Sequence, residues 1–260
     1  MAIVTFLSDF GTSDHYVAAV KARILKENPA INIIDITHNL TVGDIGHAAH
    51  VLGEVFRDFP SGTVHLIGVS NSATYRNRCV AMKVDSHFFV GEDSGIYSLL
   101  TTSAPYAIVD LTSINKAPSV FWCKDVMAAA AAKLASGKDI QELGPRIDDL
   151  QRFTLSLAKA TKQQIVGNIV HIDHYGNLVT NIMKKDFDAI IKLNGDCGFE
   201  VNFRREKIKS MNTYFSEVSS GECFVLFNAT NRLIIGIRQG RGSELLGLTL
   251  NDQVFIDFLI

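Results

Sequence analysis

Apolar and polar positions in the first half of the chain alternate between strand-like and helix-like periods. Residues 3–7 form a short apolar run, as a buried parallel strand does. It ends in the polar turn Ser8-Asp9-Phe10-Gly11-Thr12-Ser13-Asp14. A helical pattern follows over about 14–26, with Val17, Val20, Ile24 and Leu25 near one face. Asn28-Pro29 stops it. Residues 31–36 predict a second strand. Residues 41–56 predict a second helix, with Ile45, Ala48, Ala49, Leu52 and Phe56 on one stripe, and 63–69 a third strand. This β-α-β-α-β order predicts a parallel sheet covered by helices. Residues 79–84 and 87–90 read as two strands joined by Asp85-Ser86, and 106–111 as another. An alanine-rich helix over 126–134 ends at Ser136-Gly137. Residues 147–162 carry mixed signals and read as a linker.

The second half changes character. Residues 165–172, 177–182, 188–193, 199–203, 223–227, 232–237 and 253–259 all read as strands, separated by Gly, Asn and Asp turns. The expected fold class is therefore α/β: a parallel-sheet N-terminal domain over 1–160, then a smaller all-β, barrel-like C-terminal domain over 163–260. No internal repeat is visible.

Composition narrows the classes. The 260 residues are 47% hydrophobic and 20% charged, with a net charge of −2. That excludes collagen, disorder and coiled coil, and near-neutrality argues against nucleic-acid binding. No apolar run reaches the roughly 18–20 residues that span a bilayer, so no membrane association is expected. The N-terminus lacks the basic segment of a signal peptide. Four scattered cysteines without CxxC spacing suggest neither a zinc knuckle nor a disulfide framework, and a reducing cytoplasm is the simplest setting.

Three segments are candidates for chemistry. In open parallel sheets, ligands bind beyond the carboxyl ends of strands, and Asp9 sits at such an end. A carboxylate there can accept two hydrogen bonds from the vicinal hydroxyls of a ribose. Asp14 would otherwise cap the next helix. One glycine, Gly11, builds neither a GxGxxG fingerprint nor a P-loop. The second segment is Asp173-His174-Tyr175-Gly176-Asn177, a β-turn in which Asp173 and Tyr175 exceed what the turn needs. The third is the polar loop 70–78 after the third strand. His47 and His50 share a helix face, yet no third ligand stands at metal spacing, so no metal is expected. Cys123 reads as a buried, inert thiol.

Taken together, LSDFGTSDHYV, FPSGTVHL, FVGEDSGIYS, the F-x-x-x-D block at Phe121 to Asp125 and GNIVHIDHYGNLVTNI resemble the S-adenosyl-L-methionine hydrolase (hydroxide adenosyltransferase) family, relatives of the 5′-halogenases. The resemblance runs from Ile3 to about Leu259. It implies an α/β domain followed by a β-barrel-like one, and a homotrimer holding substrate between the N-domain of one subunit and the C-domain of the next. It places Asp9 on the ribose, Asp14 near the methionine end, Asp173 on the methionine amino group, and Tyr175 and Asn177 at the adenine. No cofactor is implied; S-adenosyl-L-methionine is the substrate or ligand.

The chain departs from the family where water is activated. The family's Asp in a VDPGVG-type loop, its Arg seven positions later and its His after a Phe fall here on Ser70, Asn77 and Trp122. Arg76 or Arg78 would supply a guanidinium if the loop has shifted. The halogenase pattern is unmet too: its tyrosine falls on Ser70, its threonine on Ala73, and Gly43 stands where halogenases have a tryptophan. The expected activity is displacement of methionine at C5′ by water, giving adenosine and L-methionine. The competing readings are a nucleoside-binding protein without turnover and adenosyl transfer to another nucleophile.

Overall fold

The structure, a computed structural model, describes residues 2–69, 78–101, 103–113, 119–153 and 157–260. The chain divides into two compact units, Met1–Thr154 and Leu155–Ile260.

The first unit runs β1 (Ile3–Ser8), α1 (Tyr16–Glu27), β2 (Asn32–Thr37), α2 (Ile45–Val55), β3 (Val64–Gly68), β4 (Cys79–Val84), β5 (His87–Glu92), α3 (Tyr97–Leu100), β6 (Ala107–Asp110) and α4 (Ala128–Ala135). Its strands lie in the order β2-β1-β3-β5-β4-β6. β2, β1, β3 and β5 are parallel, and β4 runs against both neighbours. Successive side chains leave a strand on opposite faces. Val4, Phe6, Val64 and Leu66 therefore enter one core with Val20 and Ile24 of α1 and the alanines of α4. Leu7, Ile67 and Val69 enter a second with Ile45, Ala48 and Leu52 of α2. The sheet is thus covered on both faces, as the expected β-α-β-α-β order requires. The alanine run of α4 is buried because side chains that small let the helix lie close to the strands.

Local chemistry sets the turns. Asp85 and Ser86 both have positive φ (48° and 64°), the twist that a two-residue hairpin between β4 and β5 demands. Asp14 does not cap α1. The helix begins at Tyr16, its preceding residue His15 is already helical, and no side chain caps it. A carboxylate does cap α2, where Asp44 accepts from His47 N at 2.8 Å. Residues 147–153 are not a free linker. Ile147 and Leu150 pack on the α2-side core, and Ile147 N donates to Ile108 O at 3.0 Å.

The second unit runs β7 (Lys159–Ala160), β8 (Gln164–Ile172), β9 (Leu178–Met183), α5 (Lys184–Leu193), β10 (Gly198–Phe203), β11 (Glu206–Ile208), β12 (Cys223–Phe227), β13 (Arg232–Ile237), α6 (Gly242–Leu245) and β14 (Gln253–Leu259). Its barrel-like antiparallel sheet has the order β11-β10-β14-β8-β9-β13-β12, with β7 on β8. β8 pairs with β14 through residues 164–168 and with β9 through residues 169–172, so one long strand turns the sheet around its core. Gly167 sits at that change of partner, where a Cβ would lie 2.3 Å from Ile182 Cγ1. The expected strand at 188–193 is instead the end of helix α5. Phe187, Ile190 and Ile191 recur at helical spacing toward the core, and Lys184 pairs with Asp188 one turn on at 2.5 Å. A short apolar run is ambiguous by composition, and here the helical neighbours decide it.

Beneath α2, three polar side chains cross the sheet. Thr5 Oγ1 and His65 Nδ1 share a hydrogen bond at 2.7 Å, and His65 Nε2 and His87 Nδ1 another at 3.1 Å. Phe56, Phe59 and Phe89 surround His65. Burial, then the neighbouring His87, push the His65 pKa down from 6.5 to about 3. His65 is therefore neutral when folded and free to protonate when unfolded. Its contribution is complete above the unfolded pKa and is lost as pH falls below it. Urea unfolding midpoints should drop between pH 6.5 and 5, His65 adding a loss of up to about 1.4 kcal/mol per pH unit. In His65→Gln that part of the slope should vanish; an unchanged slope would assign the acid sensitivity to other groups.

Candidate active site

The strand order locates the first candidate. The chain leaves β1 toward β2 on one side, and the following crossover returns past β1 to β3 on the other. The carboxyl ends of β1 and β3 therefore flank a topological switch point, where open α/β sheets bind ligands. Asp9 is the residue after β1. Its backbone N–H donates to Gly68 O, at the end of β3, at 3.4 Å. Its Oδ2 accepts from Gly43 N at 2.8 Å. Burial pushes the Asp9 carboxyl up, and the N–H groups of Gly43 and of Asp9 itself offset part of this. A carboxylate has about four lone-pair directions, so the Gly43 contact leaves capacity for a diol. Gly43 serves through its backbone and has φ +71°.

Trp122 lies ahead of α4. It opens a wide turn, Cys123–Met127, whose first carbonyl accepts from Ala128 N five residues on, and it packs on the α1-side core. Wide turns of this kind inside helices cluster at functional sites. Next to it, Cys123 Sγ would lie 3.1 Å from a Cβ on Gly68, and Phe10 Cζ 3.0 Å from it. A larger residue at the end of β3 would press on both side chains. Burial pushes the Cys123 thiol well above its usual range, so it is inert as a nucleophile. Phe10, Tyr16 and Phe121 form an aromatic cluster beside Asp9, with centroids 5.6 to 6.2 Å apart. Asp14 lies exposed on the outer turn. Ser70 and Asn77, with Ala73, Tyr75 and Arg76, lie outside the described residues.

The Arg78 guanidinium is engaged by two carboxylates. It holds the buried carboxylate of Asp93 through Nη2 at 2.5 Å and Nε at 3.1 Å, and Asp149 Oδ1 at 3.2 Å. Asp93 Oδ1 also accepts from Gln151 N at 2.8 Å. The pair ties residues 78, 93 and 149–151 together, and its fixed fork is occupied.

The second candidate lies in the second unit. Asp173 and Asn177 bracket a tight turn. Asp173 Oδ1 accepts from Asn177 N and Oδ2 from Asn177 Nδ2, both at 2.8 Å. The two residues thus hold each other in place, and Gly176 between them has φ +83°. Tyr175 is 74% exposed. Beside the turn opens a cavity of about 670 Å³, lined by Tyr175 and Asn177 together with Phe215, Phe224, Arg238 and Arg241. The last four escape the sequence because sheet closure, not spacing, brings them there. Ser243 N donates to Gly176 O at 2.8 Å, and Arg241 Nη1 to His174 O at 3.1 Å. Phe215 meets Phe224 edge to face at 5.0 Å, an apolar part of the cavity wall. Among the described residues, no group of three or more His, Cys, Asp or Glu side chains could hold a metal ion, and no helix is long and apolar enough to cross a membrane.

The chain is similar to known proteins over almost its full length. The SAM hydroxide adenosyltransferase N-terminal domain matches residues 4–144, and the corresponding C-terminal domain residues 167–255. An (R)-S-adenosyl-L-methionine hydrolase of Methanocaldococcus jannaschii is 30% identical over 98% of this chain and 95% of its own length. A hydrolase of the same name from Thermus thermophilus is 29% identical over 95% and 96%. A fluorinase of an Actinoplanes species is 28% identical over 72% and 73%. The crystal structure of a conserved protein from Thermotoga maritima superposes with a TM-score of 0.87 at 28% identity, over 98% of this chain and 99% of that one.

Two outcomes follow from this geometry. A Cβ on Gly236 would fall 2.3 Å from Phe224 Cζ and 2.4 Å from Asn177 Oδ1. Gly236→Ala should therefore cost about 1–3 kcal/mol in urea unfolding, because the cavity wall and the turn must both move. The raised folded-state pKa of Asp9 means that its contribution is present below the unfolded value and lost as pH rises through the folded one. Stability should therefore fall as pH rises through the range in which the folded Asp9 ionises. Asp9→Asn should raise Tm at pH 7; a lower Tm would show that the carboxylate stabilises the turn.

Proposed function

The chain belongs to the SAM hydroxide adenosyltransferase family, and from that premise we propose that it hydrolyses S-adenosyl-L-methionine to adenosine and L-methionine. The observation that carries the assignment of roles is Asp9 at the β1/β3 switch point, with a backbone N–H already turned to one of its oxygens. On this reading Asp9 holds the ribose diol, and Asp14 serves the methionine end. Asp173 takes the methionine amino group, and Tyr175 and Asn177 meet the adenine beside the Phe215–Phe224 wall.

The reaction asks little proton chemistry of the protein. The oxygen of water bonds to C5′, and the C5′–S bond breaks with its electron pair going to sulfur. The neutral thioether of methionine leaves, and one proton passes to solvent. A neutral leaving group needs no general acid, so alignment of the water and exclusion of bulk solvent carry the rate. A positioned base adds about 10²–10⁴-fold. With Ser70, Asn77 and Trp122 at the family's Asp, Arg and His positions, turnover is slow rather than absent. Trp122 contributes an aromatic surface that attracts the sulfonium by cation–π interaction.

The same reading includes a homotrimer with substrate sites at subunit interfaces. Tyr175, Tyr214 and Phe215 are 74%, 66% and 53% exposed, a surface that a neighbouring subunit would cover. Light scattering should give the mass of three chains. The unpaired cysteines suit a reducing cytoplasm.

The test is incubation with S-adenosyl-L-methionine, following adenosine and methionine by chromatography with mass detection. Both products should accumulate in equal amounts. Asp9→Ala should weaken adenosine binding about 10–150-fold, the equivalent of about 1.5–3 kcal/mol for a charged hydrogen-bond partner. Ser70→Asp with Asn77→Arg and Trp122→His should raise turnover. Intact ligand recovered without product would make the protein a nucleoside binder instead.

A further inference from the structure

His38 lies beside Asp9 without a role in the chemistry above. It follows β2 and is 5% exposed. Its Nδ1 lies 2.8 Å from Ser8 Oγ, the residue before Asp9. Its carbonyl accepts from Gly11 N, two residues after Asp9, at 2.8 Å. Its ring lies against Phe6 at 4.7 Å. One residue therefore grips the Asp9 turn on both sides. Ser8 Oγ also accepts from Phe10 N at 3.4 Å. The network is consistent when the Ser8 hydroxyl donates to Nδ1 and the imidazole proton sits on Nε2, a tautomer assigned from these contacts. Nε2 is buried and lies 3.1 Å from Asp35 Oδ1, and Asp35 is itself held by Lys21 at 2.5 Å. Beyond His38, the same loop brings Gly43 N to the Asp9 carboxylate.

We propose that His38 is a positioning residue for the reaction: it locks the 8–11 turn and the 38–43 loop together so that the Asp9 carboxylate is pre-aimed at the ribose. The inference rests on the ribose-holding role of Asp9. A buried, oriented imidazole removes the freedom that the turn would otherwise lose on binding, so its effect falls on ligand affinity rather than on bond breaking. A purely structural histidine would act on stability alike whether or not Asp9 is present.

The experiment is a double-mutant cycle with adenosine, read by calorimetry, with Tm recorded for every variant. His38→Phe keeps the ring and removes both nitrogens. It should weaken adenosine about 10-fold in the parent and by less than about 2-fold in the Asp9→Ala background, since coupled residues show such non-additivity. With S-adenosyl-L-methionine, KM should rise while kcat stays within about 2-fold of the parent, the mark of lost uniform binding. His38→Asn places a polar atom where Nδ1 stands and should restore affinity to within about 3-fold, as replacing a hydrogen bond by a similar one does. If His38→Phe does not fold, His38→Gln, whose polar atoms stand toward Asp35 and not Ser8, replaces it with the same expected pattern. Equal losses in both backgrounds, or no loss, would overturn the role of His38. If Asp9→Ala itself leaves adenosine affinity unchanged, the ribose reading of Asp9 fails first, and that result is distinct from a lack of coupling.

Discussion

The first unit is organised around a carboxylate at the end of a buried parallel strand. Such a group loses hydration as the sheet is covered on both faces, and the backbone must return part of what water supplied. Gly43 N does so at 2.8 Å. That single bond requires the loop after β2 to cross toward the end of β1. Burial nevertheless keeps the Asp9 carboxyl raised, because the N–H groups of Gly43 and of Asp9 itself offset only part of the lost hydration. Strand order, loop path and the affinity expected for a ribose all meet in this constraint.

Around it, packing fixes the neighbouring elements. Gly68 admits Phe10 and Cys123 against the end of β3, and the wide turn at 123–127 begins at that contact. Arg78 is spent on Asp93 and Asp149, which welds the start of β4 to the segment that ends the first unit. In the second unit, Asp173 and Asn177 satisfy each other, so any ligand there must exchange those bonds for its own. Binding at that turn is then an exchange of partners, whereas Asp9 keeps acceptor capacity beyond its bond from Gly43.

The chemistry proposed for this chain tolerates the loss of family catalytic side chains because of its leaving group. A thioether departs without a proton, so the protein's remaining tasks are to hold the sugar, orient water and keep out bulk solvent. In the proposed function, Asp9, Asp173, Tyr175 and Asn177 take the holding tasks, and Ser70, Asn77 and Trp122 are the substitutions at the family's Asp, Arg and His positions. Hydrolysis driven by alignment is the form of the activity that this distribution supports.

The sequence by itself determined the elements whose periodicity reports a buried face: the apolar run before Ser8, the helical stripes over 14–26 and 41–56, the Asp85-Ser86 hairpin, and the change to an antiparallel sheet after residue 160. The turn at 173–177 and the strand end at Asp9 were legible for the same reason, since turn chemistry and strand ends are local. Tertiary structure alone decided the rest. The α5 helix overrode the strand-like composition of 188–193 because Phe187 and Ile190 had a core to face. Asp14 gave up the cap because α1 starts two residues later. Arg78 found Asp149, His38 found Ser8, and Arg241 found the 174–177 turn across 30 to 71 residues of chain. Such pairs follow from strand order and sheet closure, and side-chain periodicity carries no record of which distant segment lies opposite.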